Sequence, residues 1–288
     1  GIFLTDEPMS RHTTFRTGGP ADIYIEPSGV EELKQVLDIC REENVAYTII
    51  GNGSNLLVGD GGYRGVLISF GKPFAQVTIE GAQVRTGAGA LLSAVAKQVL
   101  NASLTGFEFA AGIPGTIGGA VVMNAGAYGG ELCQVLREAT VLTPEGEVKT
   151  LPAEELELGY RTSCVQKNGY IVLEAVLQLQ PGNADDIRAV MDDLASKRRE
   201  KQPLEYPSAG STFKRPEGYF AGRLIQDAGL RGFRVGGAQV SEKHCGFVIN
   251  RDHATSADIL SLCRQVQEKV KAQSGVKLEL EVKLLGEF

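Results

Sequence analysis

The sequence predicts an α+β protein with an N-terminal β-α-β unit, a strand-rich middle part and a C-terminal part richer in helices. Three observations lead to this fold class. Short apolar runs bounded by Gly and Pro mark strands, apolar residues at helical spacing mark helices, and Pro-Gly-Asn at residues 181–183 interrupts both patterns. The 288 residues suffice for one large or two medium domains with a sizeable core.

The first elements follow the β-α-β order. Residues 22–26 alternate in the manner of a strand. Ser28 and Glu31 then match a capping box, in which the serine hydroxyl accepts from the helix backbone and the glutamate reaches back to the helix start. Residues 46–50 give the next strand, which leads directly into Gly51.

The rest of the chain adds a second α+β part and a helical end. Strands are expected at residues 66–70, 77–86 with a turn at 81–82, 136–143, 148–151 and 171–179, and a helix at 90–101. Further helices are expected at about 184–201, 219–228 and 256–273, the last with a capping signal at 255–258. In the expected final strand, residues 276–284, apolar residues occupy the even positions.

Composition narrows the function classes. The five cysteines are scattered and form no C-x-x-C pair, so we expect reduced cytoplasmic thiols and no structural zinc or other metal site. A net charge of −6 without a long basic tract argues against a nucleic-acid partner. There is no apolar run of about 18 residues and no signal-peptide pattern at the first residues, so we expect no membrane association. We expect a monomer or a weak oligomer.

Two glycine-rich stretches are candidates for anion binding: residues 50–58, which contain Gly-Asn-Gly-Ser-Asn, and residues 111–120, which contain Gly-Ile-Pro-Gly-Thr. Neither matches G-x-G-x-x-G, and the chain has no P-loop pattern. Successive backbone N–H groups in such loops can face one phosphate group. The alternative for each stretch is a tight turn at a sheet end. Two dense clusters, each beside apolar strands, favour binding.

Six motifs, in order along residues 14–285, resemble the UDP-N-acetylenolpyruvoylglucosamine reductases, the flavoenzymes that complete UDP-N-acetylmuramate in bacterial peptidoglycan synthesis. They are TFRTGGPA at 14–21, GNGSNLL at 51–57, GIPGTIGGAVVMNAGAYGGE at 112–131, YRTS at 160–163, SAGSTFKRP at 208–216 and GGAQVSEKH at 236–244. Each motif alone is moderately specific, whereas the ordered set is very specific. The chain leaves little room for an inserted lid, which indicates the compact subtype of the family.

The resemblance implies an FAD-binding fold of the vanillyl-alcohol-oxidase (PCMH) type with a C-terminal substrate domain. We expect one FAD-binding lobe at residues 1–65, a second at 66–182 and the substrate domain at 183–288. FAD is the implied cofactor and NADPH the implied co-substrate. The implied flavin contacts are Gly51, Asn52, Gly53, Ser54, Asn55, Leu56, Gly112, Ile113, Pro114, Gly115, Thr116, Gly118, Gly119 and Ala120.

The implied reaction passes a hydride from NADPH through flavin N5 to C3 of an enolpyruvyl ether and then protonates C2. By resemblance, Ser211 donates the proton, Arg161 holds the carboxylate, and Glu281 polarises it. Glu279 competes with Glu281, and the family pattern favours Glu281. The implied substrate contacts are Tyr160, Lys214, Arg215, Gln239 and Ser241.

Each assignment has a simpler alternative. A serine after glycine usually caps a turn, an arginine usually forms a surface ion pair, and a glutamate on the polar face of a strand is usually solvated. At the level of the whole protein, the alternatives are another oxidoreductase on the same FAD scaffold and a non-catalytic nucleotide-binding protein.

Overall fold

The computed structural model describes all of residues 1–288. Its strands, in chain order, are β1 Ile2–Pro8, β2 Pro20–Glu26, β3 Tyr47–Ile50, β4 Leu56–Val58, β5 Tyr63–Ser69, β6 Val77–Glu80, β7 Gln83–Gly87, β8 Leu104–Thr105, β9 Gly126–Ala127, β10 Gly130–Glu131, β11 Leu136–Leu142, β12 Val148–Pro152, β13 Ile171–Gln178, β14 Gln180–Pro181, β15 Arg234–Val235, β16 Ala238–Val240, β17 Val248–Asn250 and β18 Lys283–Leu285. Its α-helices are α1 Val30–Glu42, α2 Leu92–Asn101, α3 Ile117–Met123, α4 Ala184–Lys201, α5 Ala221–Asp227 and α6 Ser256–Ser274.

The chain forms two compact units. Unit 1 comprises Gly1–Phe3, Ile25–Asn52 and Leu67–Lys197, and unit 2 comprises Leu4–Tyr24, Gly53–Val66 and Arg198–Phe288. The division into domains at residues 1–65, 66–182 and 183–288 stays a prediction. A four-stranded sheet has the order β1-β2-β5-β3, so β5 separates the two strands that flank α1 in the predicted β-α-β unit.

Unit 1 is built on a five-stranded antiparallel sheet with the order β12-β11-β13-β7-β6. The turn predicted at residues 81–82 joins β6 to β7. Ile117 and Val121 of α3 are fully buried in the same apolar cluster as Ala175 and Leu177 of β13. Because burying each large aliphatic side chain stabilises the fold by about 1.5–3 kcal/mol, this contact fixes α3 on the sheet.

Unit 2 packs α5 and α6 with the antiparallel sheet β15-β16-β17, and a parallel pair joins β4 to β18. The start of α6 confirms its predicted capping signal. The Thr255 hydroxyl accepts from the Asp258 N–H at 3.0 Å, and the Asp258 carboxylate accepts from the Thr255 N–H at 3.1 Å. Helix α6 contributes Leu262 and Val266 to the core, both fully buried.

Two local predictions are wrong. Gly29 rather than Ser28 is the N-cap of α1, and its extended backbone starts the helix one residue late. Consequently Glu32, not Glu31, accepts from the Ser28 N–H, at 2.9 Å. At the C-terminal end of the chain, only Lys283 and Leu284 of the predicted final strand, residues 276–284, lie in a sheet, as part of β18.

The segment before β18 keeps the predicted alternation without forming a long ladder. Leu278 and Val282 are buried, as the even positions require. Leu280 forms an isolated antiparallel bridge with Phe213, and the N–H of Lys214 donates to the Glu279 carbonyl at 2.8 Å. The partner segment is irregular, which limits the pairing to a few hydrogen bonds and places residues 279–281 beside residues 212–214.

Candidate active site

The first glycine-rich loop depends on glycine at position 53. Gly53 has a φ of 66°, and a Cβ added to it would lie 2.0 Å from the His12 carbonyl oxygen. The Gly53 carbonyl accepts from the Thr14 N–H at 3.1 Å and from the Thr14 hydroxyl at 3.3 Å. A side chain at position 53 would therefore collide with the backbone, which explains the glycine. The two hydrogen bonds attach the loop to the TFRTGGPA motif.

The hydrogen bonds of this loop leave donors for a ligand. The Gly53 carbonyl is occupied by Thr14, whereas the N–H groups of Gly53 and Ser54 donate to no protein group. The Asn55 side chain donates to the Glu281 carbonyl at 3.2 Å. Leu56, the last residue of this loop that is predicted to contact the flavin, lies in β4. Two adjacent N–H groups without protein acceptors suit the phosphate oxygens of a dinucleotide, so the loop fits the predicted cofactor.

Within unit 1, the structure brings Gly51 of the first loop to Thr116 of the second. A Cβ on Gly51 would lie 2.7 Å from the Thr116 hydroxyl oxygen, which is closer than Cβ atoms approach in proteins. Asn52 follows at the exposed end of the same segment. Glycine at position 51 thus allows the backbone to pass directly beside Thr116, and two predicted cofactor residues are neighbours.

The second loop offers its donors before α3 rather than within it. The N–H groups at the start of α3 all donate within the protein: Ile117 to Ala90, Gly118 to Ala88, Gly119 to the Thr116 hydroxyl and Ala120 to the Thr116 carbonyl, at 2.8–3.3 Å. The N–H groups of Gly115 and Thr116 have no acceptor in the protein. Gly112, Ile113 and Pro114 precede them at exposed or half-buried positions. A phosphate group at this loop would therefore take the donors of Gly115 and Thr116.

Arg161 lies in a tight turn that closes between Gly159 and Thr162. The N–H of Thr162 meets the Gly159 carbonyl at 3.4 Å, and Arg161 has a φ of 52°. Turns with this shape take Gly or Asn at that position, so an arginine there is strained. Its Nη2 donates to the Gly126 carbonyl at 3.2 Å, and its guanidinium carbon lies 5.4 Å from the centre of the Tyr160 ring. Tyr160 is 53% exposed, so the pair faces the solvent beside the turn.

Ser211 is not the serine that caps its turn. The Ser208 hydroxyl accepts from the Gly210 N–H at 3.3 Å, whereas the exposed Ser211 hydroxyl bonds to no protein group. The neighbouring Thr212 is fully buried. Its N–H donates to the Gly246 carbonyl at 2.9 Å. Thr212, which sequence reasoning missed, therefore fixes the backbone that presents Ser211.

Unit 2 also brings Glu281 to this segment. The Glu281 N–H donates to the Thr212 carbonyl at 2.9 Å, and the Glu281 carbonyl accepts from Asn55. The first glycine-rich loop, the residue after Ser211 and the predicted acid are thus directly connected. Glu279 differs, because its side chain is 68% exposed and only meets Lys214, at 3.9 Å.

The predicted substrate cations lie further along the same segment. Lys214 is half-buried and pairs loosely with Glu279 across the neighbouring segment. The guanidinium carbon of Arg215 lies 4.2 Å above the ring of Phe220, which is 63% exposed. Both cations therefore remain on the surface of unit 2, where an anionic ligand can reach them.

Gln239 and Ser241 are buried and make internal contacts. The Gln239 side chain donates to the Gly232 carbonyl at 3.2 Å. The Ser241 hydroxyl accepts from the N–H groups of Lys243 and His244, each at 3.1 Å. These contacts shape the turn after β16, and substrate binding by the two residues stays a prediction.

His244 supports the same turn as a neutral imidazole. Its Nδ1 accepts from the Gly246 N–H at 3.0 Å, so Nε2 carries the proton. Burial lowers the pKa of His244. Since the Gly246 carbonyl in turn accepts from Thr212, the imidazole lies two hydrogen bonds away from the segment that carries Ser211.

Two further features bear on function. No cluster of three or more His, Cys, Asp or Glu side chains has the arrangement of a metal site. None of the helices combines the length and the apolar character needed to cross a bilayer.

Comparison with known proteins first defines the class. Residues 21–152 match the model of an FAD-binding domain. The fold is similar to 6-hydroxy-D-nicotine oxidase of Arthrobacter nicotinovorans, with a TM-score of 0.50 and 16% identity over 63% of this chain and 42% of that one. Together with loops whose free N–H groups suit a dinucleotide, these findings define an FAD-binding protein with the predicted PCMH-type fold.

The family follows from closer relatives. Residues 202–285 match the model of the UDP-N-acetylenolpyruvoylglucosamine reductase C-terminal domain. Reductases of this name from Agathobacter rectalis and Clostridium perfringens are 57% and 56% identical, covering 99% and 98% of this chain and 94% and 92% of theirs. The crystal structure of the Thermus caldophilus reductase aligns with a TM-score of 0.84 and 36% identity over 99% of this chain and 98% of that one. The chain belongs to the UDP-N-acetylenolpyruvoylglucosamine reductase family, which confirms the resemblance of its motifs.

Proposed function

We propose that this protein reduces UDP-N-acetylglucosamine enolpyruvate to UDP-N-acetylmuramate with NADPH, through bound FAD, as a step of bacterial peptidoglycan synthesis. One observation carries the proposal beyond family membership. The Ser211 hydroxyl is exposed, makes no hydrogen bond to the protein, and lies next to a buried threonine that is bonded to Glu281. A hydroxyl that is carried on a fixed backbone but is unused by the fold is suited to a substrate.

The chemistry that bound FAD supplies is hydride transfer, from NADPH to flavin N5 and from N5 to C3 of the enolpyruvyl ether. The protein must hold the two reactants and supply one proton. The new C3–H bond forms from the electron pair of the incoming hydride, the π electrons of the vinyl group move to C2, and the resulting negative charge at C2 is shared with the carboxylate. A proton delivered to C2 then completes the lactyl ether.

Ser211 delivers that proton in the proposed mechanism. A serine hydroxyl is a weak acid and acts only when it is held within hydrogen-bond reach of the carbon that gains charge. The buried anchor at Thr212 provides this fixed position. Glu281 lies beside the same anchor and is only half exposed, which supports it over the solvated Glu279 as the acid of the site.

Arg161 binds the enolpyruvyl carboxylate in the same scheme. Its strained turn and its bond to the Gly126 carbonyl restrict the guanidinium, and a fixed cation stabilises the charge that develops on the carboxylate. Tyr160 lies beside it as a further substrate contact. Lys214 and Arg215 are assigned to the diphosphate, where their surface positions allow contact.

Each of the two glycine-rich loops is assigned contacts with the flavin cofactor. The N–H groups that support this assignment are those of Gly53, Ser54, Gly115 and Thr116, because none of them has a protein acceptor. We further propose a cytoplasmic location, no nucleic-acid partner, and a monomeric or weakly oligomeric state.

Anaerobic stopped-flow spectroscopy tests the proposed function directly. NADPH should bleach the flavin absorbance at about 450 nm, and UDP-N-acetylglucosamine enolpyruvate should then restore it. Restoration by oxygen alone would indicate a different oxidoreductase on the same scaffold. A protein that shows no flavin absorbance after incubation with FAD would instead favour the non-catalytic nucleotide-binding alternative.

A further inference from the structure

Six non-glycine residues of unit 1 have a left-handed backbone that side chains rarely adopt, and three of them lie in segments that hydrogen bonds join. Asn124, Tyr128 and Arg161 have φ values of 46°, 51° and 52°. Tyr128 and Gly129 form the two-residue turn between β9 and β10, a position where Asn and Gly are preferred. Hydrogen bonds join this group, because Arg161 donates to Gly126 in β9. Such strain persists only where surrounding contacts enforce it, and it concentrates at functional sites.

Asn124 makes the enforcing contacts. It is 1% exposed and ends α3 in the left-handed conformation. Its side-chain Nδ2 donates to the Gly159 carbonyl at 3.0 Å, and its Oδ1 accepts from the Cys133 N–H at 2.9 Å. One amide thus bonds both the turn that carries Arg161 and the segment that follows β10. Asparagine tolerates this backbone and offers a donor and an acceptor together.

The Arg161 turn is attached to α3 at a second point. The Ser163 hydroxyl donates to the Val122 carbonyl at 2.7 Å, and the Val165 N–H donates back to that hydroxyl at 3.3 Å. The two attachments flank Arg161, one on Gly159 before it and one on Ser163 after it. The turn therefore cannot move without the C-terminal end of α3.

The other end of α3 begins at Thr116, in the second glycine-rich loop. A helix rises about 1.5 Å per residue, so the 7 residues of α3 separate its two ends by about 10 Å. Since α3 is fixed on the sheet by Ile117 and Val121, it sets the distance from the cofactor loop to Arg161.

We propose that Asn124 is a positioning residue that holds Arg161 at a fixed place relative to the second glycine-rich loop. The inference rests on the proposed function, in which Arg161 binds the substrate carboxylate. Asn124 itself is buried and acts on the reaction only through the turn at residues 159–162.

Two variants of Asn124 test the proposal. Asn124→Asp keeps the acceptor and the shape but replaces the donor by an oxygen that faces the Gly159 carbonyl. Asn124→Gly loses both hydrogen bonds but favours the left-handed backbone, so it keeps the chain folded if the aspartate does not. We expect FAD binding and reduction by NADPH within about two-fold of the wild type, and reoxidation by the enolpyruvyl substrate slowed by about ten-fold or more.

Asn44→Asp is the matched control. Asn44 also has a left-handed backbone, with a φ of 53°, but it is exposed after α1 and lies outside the catalytic machinery. The same amide-to-carboxylate change there should leave both half-reactions within about two-fold of the wild type. Circular dichroism and the bound-FAD content normalise all rates to folded holoenzyme.

Double-mutant cycles separate positioning from general damage. If Asn124 acts through Arg161, adding Asn124→Asp to Arg161→Ala should not slow reoxidation further. In combination with Ser211→Ala, by contrast, the two losses in reoxidation rate should multiply. Suppose that Arg161→Ala reoxidises slowly. If the Asn124 variants then reoxidise at the native rate, or if their rate loss multiplies with that of Arg161→Ala, the inference about Asn124 is overturned and the role of Arg161 stands. A native rate for Arg161→Ala overturns both the proposed role of Arg161 and this inference.

Discussion

Replacing Ser211 by alanine should separate catalysis from stability more sharply than any other single change. The hydroxyl is exposed and has no hydrogen bond to the protein, so its removal should change the free energy of unfolding by at most about 0.5 kcal/mol. For a chain of 288 residues, that corresponds to a shift in Tm of about 1–2 °C at most. A positioned acid contributes about 10²–10⁴ in rate, which is about 2.7–5.4 kcal/mol of barrier.

The assay follows both half-reactions at about 450 nm without oxygen. Ser211→Ala should bind FAD and bleach with NADPH as the wild type does, and should then reoxidise with substrate about 10² or more times slower. Ser208→Ala is the control, since it removes the turn-capping hydroxyl three residues away and should cost some stability but no chemistry. Reoxidation of Ser211→Ala at the native rate would refute the proton-donor role.

Three further changes test other parts of the account. Glu281→Gln should slow reoxidation by at least about ten-fold, whereas Glu279→Gln, at a side chain 68% exposed, should stay within two-fold in the same stopped-flow assay. Gly53→Ala should weaken FAD binding by at least about ten-fold in a fluorescence titration, because the added Cβ would collide with backbone atoms. Gly81→Ala is its control, since Gly81 also has a positive φ, of 60°, but no atom lies near its Cβ. This variant should lose only about 1 kcal/mol of stability and keep FAD binding. Burial lowers the pKa of His244 in the folded state, so the unfolded chain binds more protons than the folded chain near pH 6. The free energy of unfolding therefore falls as the pH drops through about 6.5. His244→Gln should make Tm less sensitive to pH across that range.

Local signals predicted most of the fold. The bounds of α4 agree with the predicted 184–201, and the turn at 81–82 and the cap of α6 are where the sequence places them. Each of these features depends on residues within a few positions of one another. The N-cap of α1 lies one residue after the predicted Ser28, because Gly29 has an extended backbone and the helix begins only at Val30.

The sequence motifs predict which residues form the site, and those assignments stay predictions, whereas the hydrogen bonds that hold the loops in place could not be predicted from the sequence. The motifs located both glycine-rich loops and singled out Ser211, yet they could not show that the N–H groups of Gly118 and Gly119 are used within the protein. Their acceptors include the carbonyl of Ala88, 30 residues earlier, which only the tertiary structure brings near. The strain at Asn124 was hidden for the same reason, since its partner Gly159 is 35 residues away.

A crystal structure of the FAD-loaded protein with the enolpyruvyl nucleotide tests the central claim most directly. We expect the flavin pyrophosphate within hydrogen-bond distance of the Gly53 and Ser54 N–H groups, and the Ser211 oxygen within about 3.5 Å of C2 of the vinyl ether. A pyrophosphate bound elsewhere, or a Ser211 hydroxyl directed away from that carbon, would contradict it.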